Sequence, residues 1–128
     1  MIPRFRAWDK IHKTMYEADD IMYIDFEEKE ICVKTLFFEK ASRYDFDDIV
    51  LMQSTGFKDK NGKEIFEGDI LDSKDGFLTG IVEFRTDLGM FVCNLVEYNN
   101  FERLCNVASS RKIIGNIWEH PELAEVSS

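Results

Sequence analysis

Hydrophobic and polar positions alternate with a period of two over many short stretches of this chain, and few stretches carry the period of a helix. In PRFRAWD (3–9), Phe5 and Ala7 lie on one side of an extended chain and Arg4, Arg6 and Trp8 on the other, which predicts a short strand. Pro3 suits the first residue of an edge strand, where no ladder donor is needed. The polar run KIHKTMYEADD (10–20) has no clear period and is read as a loop or one or two helical turns. IMYIDF (21–26) and ICVKTLFF (31–38) are rich in β-branched and aromatic residues and flank a charged EEKE, which predicts a hairpin. EKASRYDFDD (39–48) is read as a polar connection, and IVLMQ (49–53) as a short buried strand.

The clearest local signal follows, in STGFKDKNGKEIFEGDIL (54–71). Asn61-Gly62 is the favoured pair for a two-residue type I′ hairpin turn, because both residues tolerate positive φ. Gly68-Asp69 then begins a new strand, and DSKDG (72–76) is a turn. TGIVEFR (79–85) and MFVCNLVEY (90–98) form a second hairpin around TDLG. Residues 99–110 are open between two readings, a short helix capped by Asn99 and Glu102 and a strand FERLCNVAS. KIIGNIW (112–118) is a strand whose interior Gly115 marks a bulge or a close backbone approach. HPEL (120–123) is a terminal turn, with Pro121 at the first helical position and Glu122 near its positive end. The sum is a mostly β chain with at most two short helices. From residue 49 onward the strand spacing has the rhythm of a small, bent SH3-like barrel.

Composition narrows the function classes. The 128 residues are 45% hydrophobic, with eleven Phe, enough for one ordinary domain or two small subdomains with their own core. The formal net charge is −9, and neither half of the chain is basic. Nucleic-acid binding draws most of its affinity from Lys and Arg, so a nonspecific DNA or RNA binder is disfavoured. Cys32, Cys93 and Cys105 are odd in number and lack C-x-x-C spacing, which argues against a disulfide framework and a thiolate zinc site and fits a reducing cytosol. His12 and His120 stand at opposite ends, so no H-x-x-x-H pair exists. The N-terminus has no apolar signal region, and no apolar run approaches the roughly 20 residues of a membrane helix. The expectation is a soluble, cytoplasmic protein with no metal and no cofactor. The glycine run is no P-loop, since no G-K-S/T follows it.

Three blocks carry a family resemblance: FRAWD near the start, LMQSTGFKDKNGKEIFEGDIL in the middle and IIGNIWEHPEL at the end. They resemble, in order, the YopX family of small proteins encoded by phages and prophages. The central block is the most specific, with Gln53, Thr55, Gly56, Asp59, Gly62, Ile65, Phe66, Gly68 and Asp69 matching the family's pattern. Gly115, Asn116, Pro121 and Glu122 match the last block, with Trp118 and His120 where the family commonly has tyrosine and asparagine, and Ser54 stands where an aromatic is often found. The resemblance implies a small α+β N-terminal part, placed at residues 1–48 with its hairpin, followed by a closely packed SH3-like barrel at 49–128. It carries over no catalytic residue.

The candidate sites divide between structure and function. Gln53, Thr55 and Asp59 form a polar set, but Thr and Asp beside Gly are turn formers that bond nearby backbone. Gly56, Gly62 and Gly68 are explained by backbone conformations that a Cβ forbids. Asp69 is either a lone catalytic carboxylate or a group that accepts backbone N–H and pins a bend. Gly115, Asn116 and Pro121 are read as structural. Arg4, Arg6 and Trp8 share one strand face and are the candidate interaction patch, since Arg and Trp are enriched at binding hot spots. The bland reading is that this face packs inward with the Arg stems over apolar surface. Residues 17–30 hold seven acids against Lys29, most simply a solvated face, alternatively a mimic of nucleic-acid phosphates. Cys93 is read as a small core residue, and nothing local supports a Cys–His nucleophile pair with His12 or His120. The preferred reading is a non-enzymatic phage or prophage accessory protein that self-associates and contacts phage or host proteins. The alternatives are nucleic-acid association through Arg4, Arg6 and Trp8, and an enzyme with a polar pocket near Gln53, Asp59 and Asp69.

Overall fold

A computed structural model describes residues 4–34, 41–73 and 75–125, and these are mostly β. The chain divides into two compact units, Met1–Gln53 and Ser54–Ser128.

The first unit is built from β1 (Phe5–Asp9), β2 (Thr14–Tyr16), β3 (Ile21–Asp25), β4 (Glu30–Lys34), β5 (Ala41–Asp45) and the first half of β6 (Ile49–Lys58). β1 pairs antiparallel with β2 and with β6, from Phe5 opposite Gln53 to Asp9 opposite Ile49. β3, β4 and β5 form a second antiparallel sheet in that order. Ala7, Ile31, Val33 and Ile49 are buried together, with Tyr16, Ile21, Ile24, Tyr44, Phe46 and Leu51 packed against them. Burying such side chains is the main force holding the sheets together.

Two expectations fail in this unit. Residues 10–20 contain strand β2, followed by a 3-10 turn at Ala18–Asp20, and the connection 39–48 contains strand β5, followed by a 3-10 turn at Phe46–Asp48. β2 is three residues long, too short for a readable period. β5 alternates cleanly, but Tyr44 is the one large apolar residue it turns inward, so the segment looks polar. Among the described residues the unit has no α-helix, so the α component expected of the N-terminal part is not found there. The hairpin strand expected over 31–38 is present as β4 to Lys34, and its remainder lies outside the described residues.

The second unit comprises the rest of β6, β7 (Glu64–Phe66), β8 (Asp69–Asp72), β9 (Thr79–Arg85), β10 (Met90–Leu95), β11 (Phe101–Arg103), α1 (Leu104–Val107) and β12 (Lys112–Asn116). Five of these strands form an antiparallel sheet in the order β11-β10-β9-β8-β12. β6 and β7 make a hairpin, with Ser54 opposite Phe66 and Lys58 opposite Glu64. The core is Ile65, Leu71, Val82, Cys93, Leu104 and Ala108, with Phe91, Val107 and Ile113 against it. Residues 99–110 hold strand β11 and then one helical turn, but the helix starts at Leu104 after Arg103 and not at the Asn99–Glu102 cap expected, since Glu102 is in the strand; its Leu104 plugs the core. The bulge expected at Gly115 is present, as a register shift between Ile113 and Gly115 against β8.

The Asn61-Gly62 turn is a hairpin turn of a different kind from the one expected. Gly62 has φ +82°, but the non-glycine residues at positive φ among those described are Lys13 and Lys29, so Asn61 is not left-handed. The Gly62 N–H donates to Asp59 O at 2.9 Å and the Asp59 N–H to Lys63 O at 2.8 Å. A three-residue loop of this form needs one left-handed residue, at its end, and glycine takes it without strain.

Leu71 is fully buried at the centre of the second unit's core. Leu71→Ala is expected to lower stability by about 2–5 kcal/mol, read in urea denaturation as a lower midpoint at unchanged slope. A change below about 0.5 kcal/mol, the level of ordinary surface substitutions, would contradict the packing described.

Candidate functional site

The central motif residues are best understood through Asp59. Its side chain is buried, yet three main-chain groups reach it. Oδ1 accepts the N–H groups of Asn61 and Lys63, both at 2.9 Å, and Oδ2 accepts the N–H of Ile113 on β12 at 3.0 Å. Beside this contact the Lys60 N–H donates to Arg111 O at 2.9 Å. One carboxylate thus shapes the β6–β7 turn and fastens it to a strand more than fifty residues later. Burial by itself raises the Asp59 carboxyl, but the Ile113, Lys63 and Asn61 N–H groups and the Lys63 charge outweigh it and hold it below the ordinary carboxylate value.

The neighbouring motif residues behave alike. Thr55 is buried; its hydroxyl donates to Ile65 O at 2.8 Å and accepts the Phe57 N–H at 3.1 Å. Asp69 is buried and its Oδ2 accepts the Phe66 N–H at 2.8 Å, across the bend where Gly68 has φ +85°. Gly56 stands at φ +80°. Asn116 Oδ1 accepts the N–H groups of Trp118 and Glu119, at 3.1 and 2.8 Å. His120 folds back so that its Nδ1 accepts the Asn116 N–H at 3.3 Å. A Cβ on Gly115 would lie 2.6 Å from that same Nδ1, so only glycine lets the imidazole close the turn. Pro121 starts the 3-10 turn Pro121–Ala124. Gln53 is exposed on β6, opposite Phe5 in the first unit.

The Arg4, Arg6 and Trp8 set does not form one solvent-facing surface. Arg6 and Trp8 are buried, at 5% and 7% exposure, whereas Arg4 is exposed and lies 3.5 Å from Asp19. Alternation implies a wet face and a dry face, but β1 is the middle strand between β2 and β6, and Arg6, Ala7, Trp8 and Asp9 are all buried.

Arg4 instead borders a feature the alternation pattern hides. An open cleft of about 490 Å³ is lined by Arg4, Phe5, Ile21, Met22, Tyr23 and Phe26, together with Ala18 and Ile24. Met22 is 59% exposed and Phe26 60%, with Tyr23 also exposed. The cause is a bulge in the β3–β4 ladder: Ile21 faces Val33 and Tyr23 faces Cys32, leaving Met22 as the extra residue. An extra residue breaks the period of two, so consecutive apolar side chains face outward. Phe26 is held in place edge-on by Phe5 and Phe46, at 6.0 and 5.8 Å between ring centres.

A second unforeseen group surrounds Asp9, which is fully buried. Its Oδ1 accepts the Ile11 and His12 N–H groups, and its Oδ2 meets His12 Nδ1 at 2.8 Å and the Tyr16 hydroxyl at 2.7 Å. With its one proton on Asp9, the Tyr16 oxygen accepts from the Tyr44 hydroxyl 3.0 Å away. Burial raises the Asp9 carboxyl and the His12 and Tyr16 hydrogen bonds more than reverse this, leaving it low; burial, Tyr44 and Asp9 push the Tyr16 phenol far up. The spacing Asp9-x-x-His12 carries the local turn, but the tyrosine partners come from other strands.

Cys32 and Cys93 are buried and Cys105 is exposed. Burial, then Glu102, pushes the Cys93 thiol up to about 11, away from the thiolate a nucleophile requires. Among the described residues no group of three or more His, Cys, Asp or Glu side chains could hold a metal ion, and no helix is long and apolar enough to cross a membrane.

Asp59→Asn keeps an acceptor for Asn61 and Lys63 but turns an amide N–H₂ toward the Ile113 N–H. The expected cost is about 1–3 kcal/mol, that of a buried unsatisfied donor, measured by urea denaturation at neutral pH. Because the folded-state pKa is depressed, the Asp59 contribution is present above the unfolded value near 3.8 and is lost as pH falls through the lower folded value. The Asn variant therefore approaches the parent in stability at acid pH; an equal gap at pH 7 and below pH 3 would contradict the assignment. In the folded protein a thiol reagent is expected to modify one cysteine, Cys105, quickly and the other two only after denaturation. Rapid reaction of Cys93 would overturn its placement in the core.

The family described as YopX protein matches residues 4–125. The chain is similar to the crystal structure of protein EF1440 from Enterococcus faecalis, with 31% identity, a TM-score of 0.63, and coverage of 98% of this chain and 99% of that one. It is also similar in fold to the X-ray structure of protein yopX from Bacillus subtilis, at 20% identity and a TM-score of 0.62, covering 95% and 98% of the two chains. No curated protein matches it significantly.

Proposed function

The chain belongs to the YopX family, and from that premise we propose that it is a phage- or prophage-encoded accessory protein without enzymatic activity. It works in the cytoplasm of a bacterial host through contacts with other proteins, copies of itself included. Its second unit is read as an SH3-like barrel, a scaffold that presents surfaces and implies no chemistry of its own.

The observation that carries this reading is the cleft beside β3. Exposed Met22, Tyr23 and Phe26 gather around one concavity, whereas single exposed apolar residues scattered over a surface would need no explanation. The polar motif residues support it from the other side. Asp59, Asp69, Thr55 and Asn116 each engage main-chain groups with their polar atoms, the work of residues that shape turns. Burial of Arg6 and Trp8, with a net charge of −9, weakens the nucleic-acid reading. Self-association falls to the second unit, where Phe77 is 78% and Tyr98 55% exposed around a smaller cleft.

Light scattering over rising concentration is expected to show mass above the monomer, reduced by Phe77→Ser. Affinity capture from the host is expected to recover a partner that Met22→Glu releases, and this exposed position leaves folding unchanged. A strict monomer at high concentration together with no captured protein would contradict the proposal.

A further inference from the structure

We propose that the cleft beside β3 seats an apolar side chain of a partner protein whose neighbouring residues are Lys or Arg, so that the recognised segment is both apolar and cationic. This rests on the reading that the chain acts through protein contacts, and it names the chemistry of the partner at one surface.

The apolar half of the argument is the cleft itself. Its volume of about 490 Å³ has room for one or two apolar side chains; its apolar walls include Phe5, Ile21, Met22, Tyr23 and Phe26, and Arg4 is the charged residue of its lining. Phe26 is wedged between Phe5 and Phe46, which makes a rigid wall, while unbranched Met22 can adapt to what enters. β3 is an edge strand of its sheet, but the bulge at Met22 interrupts the regular spacing of its main chain. A bulged edge resists long strand addition, so recognition falls to side chains.

The cationic half is charge. Residues 17–30 include Glu17, Asp19, Asp20, Asp25, Glu27, Glu28 and Glu30 against Lys29. Several of these carboxylates accept hydrogen bonds from neutral donors: Asp25 from the Glu27 and Glu28 N–H groups, Asp20 from the Glu17 N–H, and Glu30 from the Tyr23 hydroxyl. Neutral donors leave the negative charge in place. Basic groups also stand here: Arg4 is 3.5 Å from Asp19, and Arg43 is in register with Tyr23 across β4. Asp19 beside Arg4 and Glu30 beside Tyr23 put carboxylates against two residues of the lining, and such an acidic setting selects a positive partner and speeds its approach. A second copy of this chain would bring two such acidic runs face to face, where like charges repel.

The test is fluorescence anisotropy with three labelled, amidated hexapeptides. One has a Leu-Phe centre flanked by two lysines on each side; the second replaces the lysines with glutamates; the third replaces Leu-Phe with Gly-Gly. The first is expected to bind, more weakly as salt rises, and the other two at least about tenfold more weakly. Met22→Ser is expected to lower affinity for the first peptide about tenfold, and Glu27→Lys with Glu28→Lys to lower it at least as much. Both variants change exposed side chains, and circular dichroism checks that they fold. Equal binding of the Gly-Gly peptide, or no effect of Met22→Ser, would mean charge alone and overturn the proposal. So would a concentration-dependent dimer dispersed by Met22→Glu, which would assign the cleft to a second copy. If no peptide binds while Met22→Glu still releases a captured partner, the cationic chemistry is wrong and the protein-contact reading stands.

Discussion

The contact between the Asp59 carboxylate and the Ile113 amide, 3.0 Å long, closes the second unit on itself. The two residues are 54 positions apart, and closing so long a loop has an entropic cost that local turns do not share. A buried carboxylate is tolerated only when its lone pairs are used, and here two come from the hairpin and one from β12. The same arrangement recurs around it. Thr55 bonds the main chain of β7, Asp69 bonds the bend before β8, and Asn116 bonds the turn after β12. The unit is small, and its apolar core is supplemented by polar side chains that each satisfy main-chain groups.

This bears directly on function. The motif residues Thr55, Asp59 and Asp69 are buried, and their polar atoms hold main-chain groups. Exposed apolar side chains gather on the first unit, where the bulge in β3 leaves Met22 and Tyr23 both exposed, and on the second at Phe77 and Tyr98. On the proposed function, apolar exposure set within an acidic run suits a protein partner of opposite charge.

Much of the architecture was legible in the sequence because it rests on short-range rules. The strands β1, β3, β4, β6, β8, β9, β10 and β12 follow from alternation and β-propensity, and the Gly115 bulge and the Pro121 turn follow from single residues. The failures have physical causes. β2 and β5 are held by neighbours rather than by their own pattern, since β5 turns one large apolar side chain inward. Asn61 avoids the left-handed region because the Asp59 carboxylate holds its N–H in a different turn, and that carboxylate's second partner is distant in sequence. Arg6 and Trp8 belong to a strand covered on both faces, which alternation does not reveal. The β3 cleft was hidden for the opposite reason: an inserted residue shifts the period by one, and the exposed face becomes visible only with the partner strand in place.

Native-state hydrogen exchange of the amides bonded to Asp59 tests this account most directly. If the carboxylate ties the hairpin to β12, the N–H groups of Asn61, Lys63 and Ile113 exchange only in the opening that also releases core amides such as Val82, with one common free energy. If Asn61 and Lys63 exchange through a cheap local opening while Val82 stays protected, the tie is incidental and the motif must be explained by something other than folding.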